Sequence, residues 1–207
     1  MGPSADIAFR AAEPDDASVC GELCLLVFAK ELEGLFSGLK GGVSTGDVVR
    51  ALCGAADTEF SWRHFTLVEQ DGIVVAGLCA FPAEELPRLI QQLPVHLQED
   101  CGIGVGGLAR LFLRSLWFGT SRRGPQPPPG SLYIPVGAVF PAHQRNGLAR
   151  RTLTHLFERA RAEGFQQVCL HVERTNSSAM GLYAALGFRE LPGRPSARNP
   201  LMTLPLR

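Results

Sequence analysis

The chain has 207 residues, and its 20 Lys and Arg balance its 20 Asp and Glu to a formal net charge of zero. A neutral chain has no global electrostatic pull toward nucleic acid or anionic lipid, so neither is an expected partner. The length suits one domain with a substantial core, spanning residues 1–207 and carrying an insertion at about 83–130. In chain order, Ile7-Ala8-Phe9-Arg10 alternates as a short strand. Glu13-Pro14-Asp15-Asp16 supplies a turn and an acidic helix start, and Val19, Leu23, Leu26 and Val27 continue at helical spacing to about Leu32. Residues 33–47 are rich in Gly and Ser and read as a loop, with a second helix expected over Val48 to Ala55. Phe65 to Glu69 and Ile73 to Phe81 flank Gln70-Asp71-Gly72. Asp-Gly between two β-prone runs signals a hairpin, because Gly accepts the positive φ of the turn.

Residues 83–130 break this rhythm. Glu84 to Leu97 has a helical pattern with Pro87 and Pro94 inside it, and Gly102 to Gly107 is a glycine-rich patch. Leu108, Leu111, Phe112, Ser115 and Leu116 mark one face of a short helix, and Arg122 to Gly130 is a Pro/Gly-rich connector. Regularity then returns. Leu132 to Phe140 is an expected strand whose Pro135 cannot donate a ladder bond, which points to an edge or a local opening of the sheet. Leu148 to Ala162 is an expected helix buried through Leu153, Leu156, Phe157 and Ala160 and stopped by Gly164. A strand over Val168 to Val172, a helix over Ser177 to Leu186 and a strand over Leu201 to Leu206 complete the order. This predicts a mixed α/β sheet flanked by helices, with a right-handed crossover near its C-terminal end.

Six cysteines are present: Cys20, Cys24, Cys53, Cys79, Cys101 and Cys169. No C-x-x-C pair accompanies them, so they read as small apolar core residues in a reducing compartment, and no metal site is expected. The first six residues lack a basic stretch followed by an apolar run, so no signal peptide is expected. The most apolar window, Ile103 to Phe118, is too short to span a bilayer and is broken by Arg110 and Arg114. A cytoplasmic location follows as the expectation.

Chemistry concentrates between Ser131 and Glu190. In Ala138-Val139-Phe140-Pro141-Ala142-His143-Gln144-Arg145-Asn146-Gly147-Leu148-Ala149-Arg150 a strand ends, a short loop follows, and a helix begins at or near Gly147. A helix start offers unpaired N–H groups and a positive dipole end, and small residues at 147 and 149 let a ligand approach the backbone. With Arg145 and Arg150 adding charge, the segment describes a pyrophosphate site. It lacks the Gly-Lys-Ser/Thr of a P-loop and the glycines of the dinucleotide fingerprint. Taken alone, an ordinary strand–loop–helix connection explains it equally well.

A second segment, Asn176-Ser177-Ser178-Ala179-Met180-Gly181-Leu182-Tyr183-Ala184-Ala185-Leu186-Gly187-Phe188, decides between them. Here the chain resembles the GNAT-family N-acetyltransferases. Gln144, Gly147 and Ala149 match that family's acyl-CoA signature, Q/R-x-x-G-x-G/A. Asn176, Ala179, Leu182, Tyr183, Leu186, Gly187 and Phe188 match its N-x-x-A-x-x-L-Y-x-x-L-G-F pattern. The resemblance implies a GNAT-like, mostly antiparallel central sheet with a strand-helix-strand-helix C-terminal half. It also implies acetyl-CoA as acyl-donor cosubstrate and an amine acceptor. Backbone groups around Ala138 and Val139 would pair with the pantetheine amides. N–H groups across Arg145, Asn146, Gly147, Leu148, Ala149 and Arg150, beside Gln144, would hold the pyrophosphate. Asn176 would contact the cofactor arm, and Tyr183 would act as general acid toward the leaving thiolate.

The family's usual base on the strand before the loop has no counterpart, because Ser131, Tyr133 and Pro135 hold the inward positions. His171 and Glu173 on the next strand, and Glu84 and Glu85 after the hairpin, are the candidates for a base acting through water. A solvated surface role is the alternative for each, and for His171 a core-facing one as well. Because of that gap, an acyl-CoA-binding sensor without turnover stands beside the enzyme as a second reading. The apolar face from Leu108 to Leu116 must bury against the body or against a second copy of the chain, so a homodimer stays open.

Overall fold

The computed structural model describes residues 6–36, 43–118, 125–192 and 198–206. Residues 1–5, residues 37–42 of the Gly/Ser-rich stretch and the start of the Pro/Gly connector, with Arg122 and Arg123, lie outside the described residues. The strands are β1 (Ile7–Ala11), β2 (Phe65–Gln70), β3 (Ile73–Pro82), β4 (Ser131–Val139), β5 (Gln167–His171), β6 (Arg189–Glu190) and β7 (Leu201–Pro205). The helices are α1 (Ala17–Phe36), α2 (Thr45–Gly54), α3 (Leu86–Glu99), α4 (Val105–Phe118), α5 (Leu148–Ala162) and α6 (Ser177–Ala185). They surround one seven-stranded sheet of order β1-β2-β3-β4-β5-β7-β6. Every pairing is antiparallel except β4 with β5, which α5 connects.

Local chemistry accounts for the first half. Asp71 and Gly72 take φ of 52° and 77°, the paired positive values that a two-residue hairpin needs between β2 and β3. Asp16 accepts a hydrogen bond from the Glu13 N–H at 2.8 Å and an ion pair from Arg10 at 2.6 Å, while Arg10 also reaches Glu69 at 2.7 Å. One guanidinium thereby joins β1, β2 and the entry to α1.

Alternation along the strands sorts side chains onto two cores. Toward α1 point Leu67, Cys79, Phe81, Tyr133 and Cys169, packed with Leu23 and Cys24. Toward α5 point Leu78, Ala80, Leu132, Ile134, Val168 and Leu170, packed with Leu156 and Phe157. α1 lies close over β3 because Gly77 has no side chain: a Cβ there would come within 2.6 Å of Leu23 Cδ1. All six cysteines are buried and free.

Three expectations are corrected. α1 continues through Phe36, and α2 starts at Thr45 under a Ser44 cap, whose Oγ accepts from the Asp47 N–H at 3.1 Å. Residues 33–36 and 45–47 are therefore helical, not loop. The glycine patch also shortens, because α4 begins at Val105 and takes in Gly106 and Gly107. Packing overrides their poor propensity: Leu111, Ile103 and Leu97 share a buried cluster with Phe36, Val48 and Leu52, and Leu108 packs against it. That part of the insertion's apolar face is buried against the body, while Val105, Phe112 and Leu113 stay exposed. Finally, β6 is a strand of two residues that no periodicity announces. Among the described residues no helix is long and apolar enough to cross a membrane.

Candidate active site

The sheet opens in its middle. β4 and β5 pair from Ser131↔Gln167 to Ile134↔Leu170 and no further. β4 runs on to Val139, still paired with β3 through Val136, Gly137, Ala138 and Val139. The opening starts at Pro135, the residue that cannot donate, as the sequence indicated. Beyond it, one edge of β4 carries main-chain N–H and C=O groups facing a gap rather than a strand. An extended ligand with amides of its own can complete such an edge.

The gap leads into the loop before α5. Pro141–His143 forms a single 3-10 turn, and Gln144, Arg145, Asn146 and Gly147 follow, all exposed. Arg145 and Gly147 both have positive φ, 64° and 76°. No atom lies within 4 Å of where a Gly147 Cβ would sit. Gly147 is the N-cap of α5, and it has no side chain to satisfy the first-turn N–H groups of Leu148, Ala149 and Arg150. Gln144 braces this loop, with its Nε2 donating to the Val139 carbonyl at 3.0 Å. Arg145 and Arg150 are exposed beside it. The arrangement leaves a ring of N–H donors at the positive end of a 15-residue helix, a setting that suits a diphosphate.

Asn176 caps the next helix: its Oδ1 accepts from the Ala179 N–H at 3.1 Å, which leaves its amide nitrogen free to donate outward. Tyr183, two turns along α6, packs against the α5-side core and lies 5.5 Å from the Phe188 ring. Burial raises its phenol above the usual tyrosine value of 10.0, so it is protonated at neutral pH.

On the α1 side of the opening stands a different pair. Tyr133 on β4 lies within hydrogen-bond distance of His171 at the end of β5, its Oη 3.1 Å from Nδ1. The Nε2 of His171 is 3.2 Å from the Pro125 carbonyl. Burial pushes the histidine below its ordinary value, against the pull of that carbonyl. The other candidate bases have partners of their own. Glu173 is held by Arg198 at 2.6 Å, Glu84 accepts from the Gly130 N–H at 2.5 Å, and Glu85 pairs with Arg88 at 3.3 Å. Ser131 is fully buried, donating to the Pro128 carbonyl and accepting from Cys169. The structure thus joins two residues that the sequence presented separately, Tyr133 and His171, across 38 positions of chain. Only the parallel register of β4 and β5 brings them together. Among the described residues, no group of three or more His, Cys, Asp and Glu is arranged to hold a metal ion.

Known proteins share this architecture. An N-acetyltransferase from Staphylococcus aureus Mu50 superposes with a TM-score of 0.68 over 96% of this chain and 99% of its own, at 17% identity. An acetyltransferase from Salmonella typhimurium, solved with its cofactor acetyl-CoA, gives a TM-score of 0.50 over 98% and 95%, at 17% identity. At such identities the likeness is one of fold. In sequence, the chain is 42% identical over 53 residues to the [ribosomal protein bS18]-alanine N-acetyltransferase of Escherichia coli K12. That match covers 26% of this chain and 36% of the relative, so the chain spans about a third of the length of the curated relatives it matches. The model of the acetyltransferase (GNAT) family matches residues 47–188, which include the opened strand pair, the glycine turn and the tyrosine helix. The chain belongs to the acetyltransferase (GNAT) family.

Proposed function

We propose that the chain is an N-acetyltransferase that moves an acetyl group from acetyl-CoA to a primary amine by direct attack, with Tyr183 as general acid. The observation that carries this reading is the continuity of the β4–β5 opening with the Arg145–Gly147 turn and the start of α5. In this reading Ala138 and Val139 pair with the pantetheine amides as an added strand. The pyrophosphate lies on the N–H groups of Arg145, Asn146, Gly147, Leu148, Ala149 and Arg150, in the loop that Gln144 braces. Asn176 reaches the cofactor arm through its amide nitrogen. The acetyl-CoA bound by the Salmonella neighbour and the alanine named for the E. coli relatives agree with this donor and this class of acceptor.

The reaction places negative charge on the carbonyl oxygen as the amine attacks, and a main-chain N–H at the strand opening stabilises it. The sulfur then leaves with a proton from Tyr183, whose phenol is protonated throughout the physiological range. Direct attack needs no acyl-cysteine, and burial pushes the Cys20 and Cys169 thiols up to about 12 and about 11, away from the nucleophilic thiolate. The reading covers the chain as one domain with its insertion, acting in a reducing compartment such as the cytoplasm. A second copy of the chain is the one further partner left open, for sedimentation to decide. Calorimetric titration with acetyl-CoA, followed by a panel of amines monitored through free CoA release, tests the proposal. Binding with no release for any amine favours an acyl-CoA sensor instead.

A further inference from the structure

We propose that Tyr133 and His171 together take the proton from the attacking amine, with His171 held in the working tautomer by the main-chain carbonyl of Pro125. The inference rests on the acyltransfer reading above and supplies its missing base.

The tautomer follows from the partners. A carbonyl oxygen can only accept, so the nitrogen facing Pro125, Nε2, carries the hydrogen. A neutral imidazole has one N–H, so Nδ1 is a bare acceptor and the Tyr133 hydroxyl donates to it. The result is a chain of two hydrogen bonds running from the tyrosine oxygen to Pro125 in the Pro-rich connector. Its tyrosine end lies beside the last paired positions of β4 and β5, next to the opening. Tyr133 belongs to the core on the α1 side and Tyr183 packs with the core on the α5 side. The two phenols therefore belong to opposite faces of the sheet. Direct attack needs this division, because the amine enters on one side of the carbonyl and the sulfur departs on another.

Each proton has a destination. The amine nitrogen bonds to the carbonyl carbon and becomes strongly acidic. Its surplus proton passes to Tyr133 Oη as the hydroxyl's own proton passes to His171 Nδ1. The carbon–sulfur bond breaks, and sulfur takes the proton of Tyr183 Oη. As the product leaves, the Tyr133 hydroxyl gives its proton to water at the opening and takes the Nδ1 proton back. That returns His171 to the neutral ring still bonded to Pro125, and Tyr183 regains a proton from solvent. Tyr133 is the catalytic residue in this scheme. His171 and Pro125 are positioning residues that act through it. The carboxylates that could compete for the task, Glu84, Glu85 and Glu173, are bound elsewhere.

The deciding variant is His171→Gln. A glutamine amide can accept from Tyr133 and donate to Pro125, so it keeps a purely structural role intact, yet it cannot carry the proton. We expect a folded protein with wild-type acetyl-CoA affinity and amine KM, and kcat lower by about 100-fold. Tyr133→Phe keeps the ring against Phe81, which sits 5.8 Å away edge-on, and should show the same split. Nitrogen NMR of the wild type should find His171 protonated at Nε2 and bare at Nδ1. Wild-type kcat in His171→Gln, or in Tyr133→Phe should the first variant fail to fold, overturns the relay alone, as does the opposite tautomer. A folded wild type that releases no CoA with any amine overturns the acyltransfer reading and the relay with it.

Discussion

Ile134 and Leu170 are the last partners in the parallel pairing of β4 with β5, and Pro135 follows at once. One residue thus sets where the sheet stops being continuous and where a ligand can enter it. The donor loop, the tyrosine helix and the Tyr133–His171 pair are all placed relative to that point.

The glycine turn gives the first prediction. A valine at position 147 would stand in a left-handed backbone, φ 76°, at a strain of about 1–2 kcal/mol, and would occupy the space open before the α5 amides. Gly147→Val should stay folded and lose at least about tenfold in acetyl-CoA affinity, ~1.4 kcal/mol. Calorimetric titration reads this directly. An unchanged Kd in the folded variant removes the turn from the donor site.

Tyr183 offers a kinetic test. Tyr183→Phe preserves packing on Phe188 and removes only the hydroxyl. We expect kcat to fall by about 100-fold with donor affinity intact. Because burial raises this phenol, the alkaline limb of the wild-type kcat profile assigned to it should lie above 10.0. A variant with wild-type rates across pH would reduce Tyr183 to a packing residue.

His96 on α3 links the insertion to the body. Its Nε2 meets Asp57 at 2.6 Å and its Nδ1 meets Asp100 at 2.7 Å, so both nitrogens face carboxylates. Burial disfavours the charged ring, but the hydrogen bonds to Asp100 and Asp57 outweigh it and raise the histidine above 6.5. A raised pKa in the folded state means stability fully present below the unfolded value and lost as pH rises through the folded one. His96→Gln should therefore cost about 1–2 kcal/mol near pH ~6 and distinctly less near pH ~9. Urea unfolding at the two pH values checks this, and an equal cost at both would refute a charged clamp.

The insertion also contributes apolar core. Leu111 is 6% exposed and shares its cluster with Phe36, Val48 and Leu52. Leu111→Ala should destabilise by about 2–5 kcal/mol, the range for a truncated buried leucine. Replacing residues 83–130 by a short linker should accordingly destabilise α1 and α2, whose side chains share that cluster. A cooperative, wild-type melt of the shortened chain would contradict the shared core.

Thiol chemistry yields a fifth test. Burial pushes the Cys20 and Cys169 thiols far above neutral pH, and Cys24 lies 3.9 Å from Cys53 in the same sealed core. The native protein should resist alkylation by iodoacetamide at neutral pH and keep its activity during the treatment. An acetylated cysteine trapped by mass spectrometry would argue for a two-step route instead.

Much of this is legible in the sequence. Pro135 announced the opening through its missing donor, Gly147 announced the helix start, and Asp71-Gly72 announced the hairpin, because each is a local conformational constraint. What stayed hidden depends on distant partners. Gly106 and Gly107 are helical only because Leu108 and Leu111 find the cluster around Phe36. Glu173 looked available as a base until Arg198, 25 residues on, was seen to hold it. His171 had no visible partner until the parallel register set it beside Tyr133.

Four residue pairs, Ser131 to Ile134 with Gln167 to Leu170, form the hydrogen-bonded seam between the first four strands of the sheet and the last three. So short a seam makes the sheet two leaves on a narrow spine. A donor lying in the opening would lengthen that spine by stitching the free edge of β4 to whatever it touches on the far leaf. Its arrival should then be felt as stiffness: slowed amide hydrogen exchange at Gly137 through Val139, and a higher melting temperature that follows donor concentration.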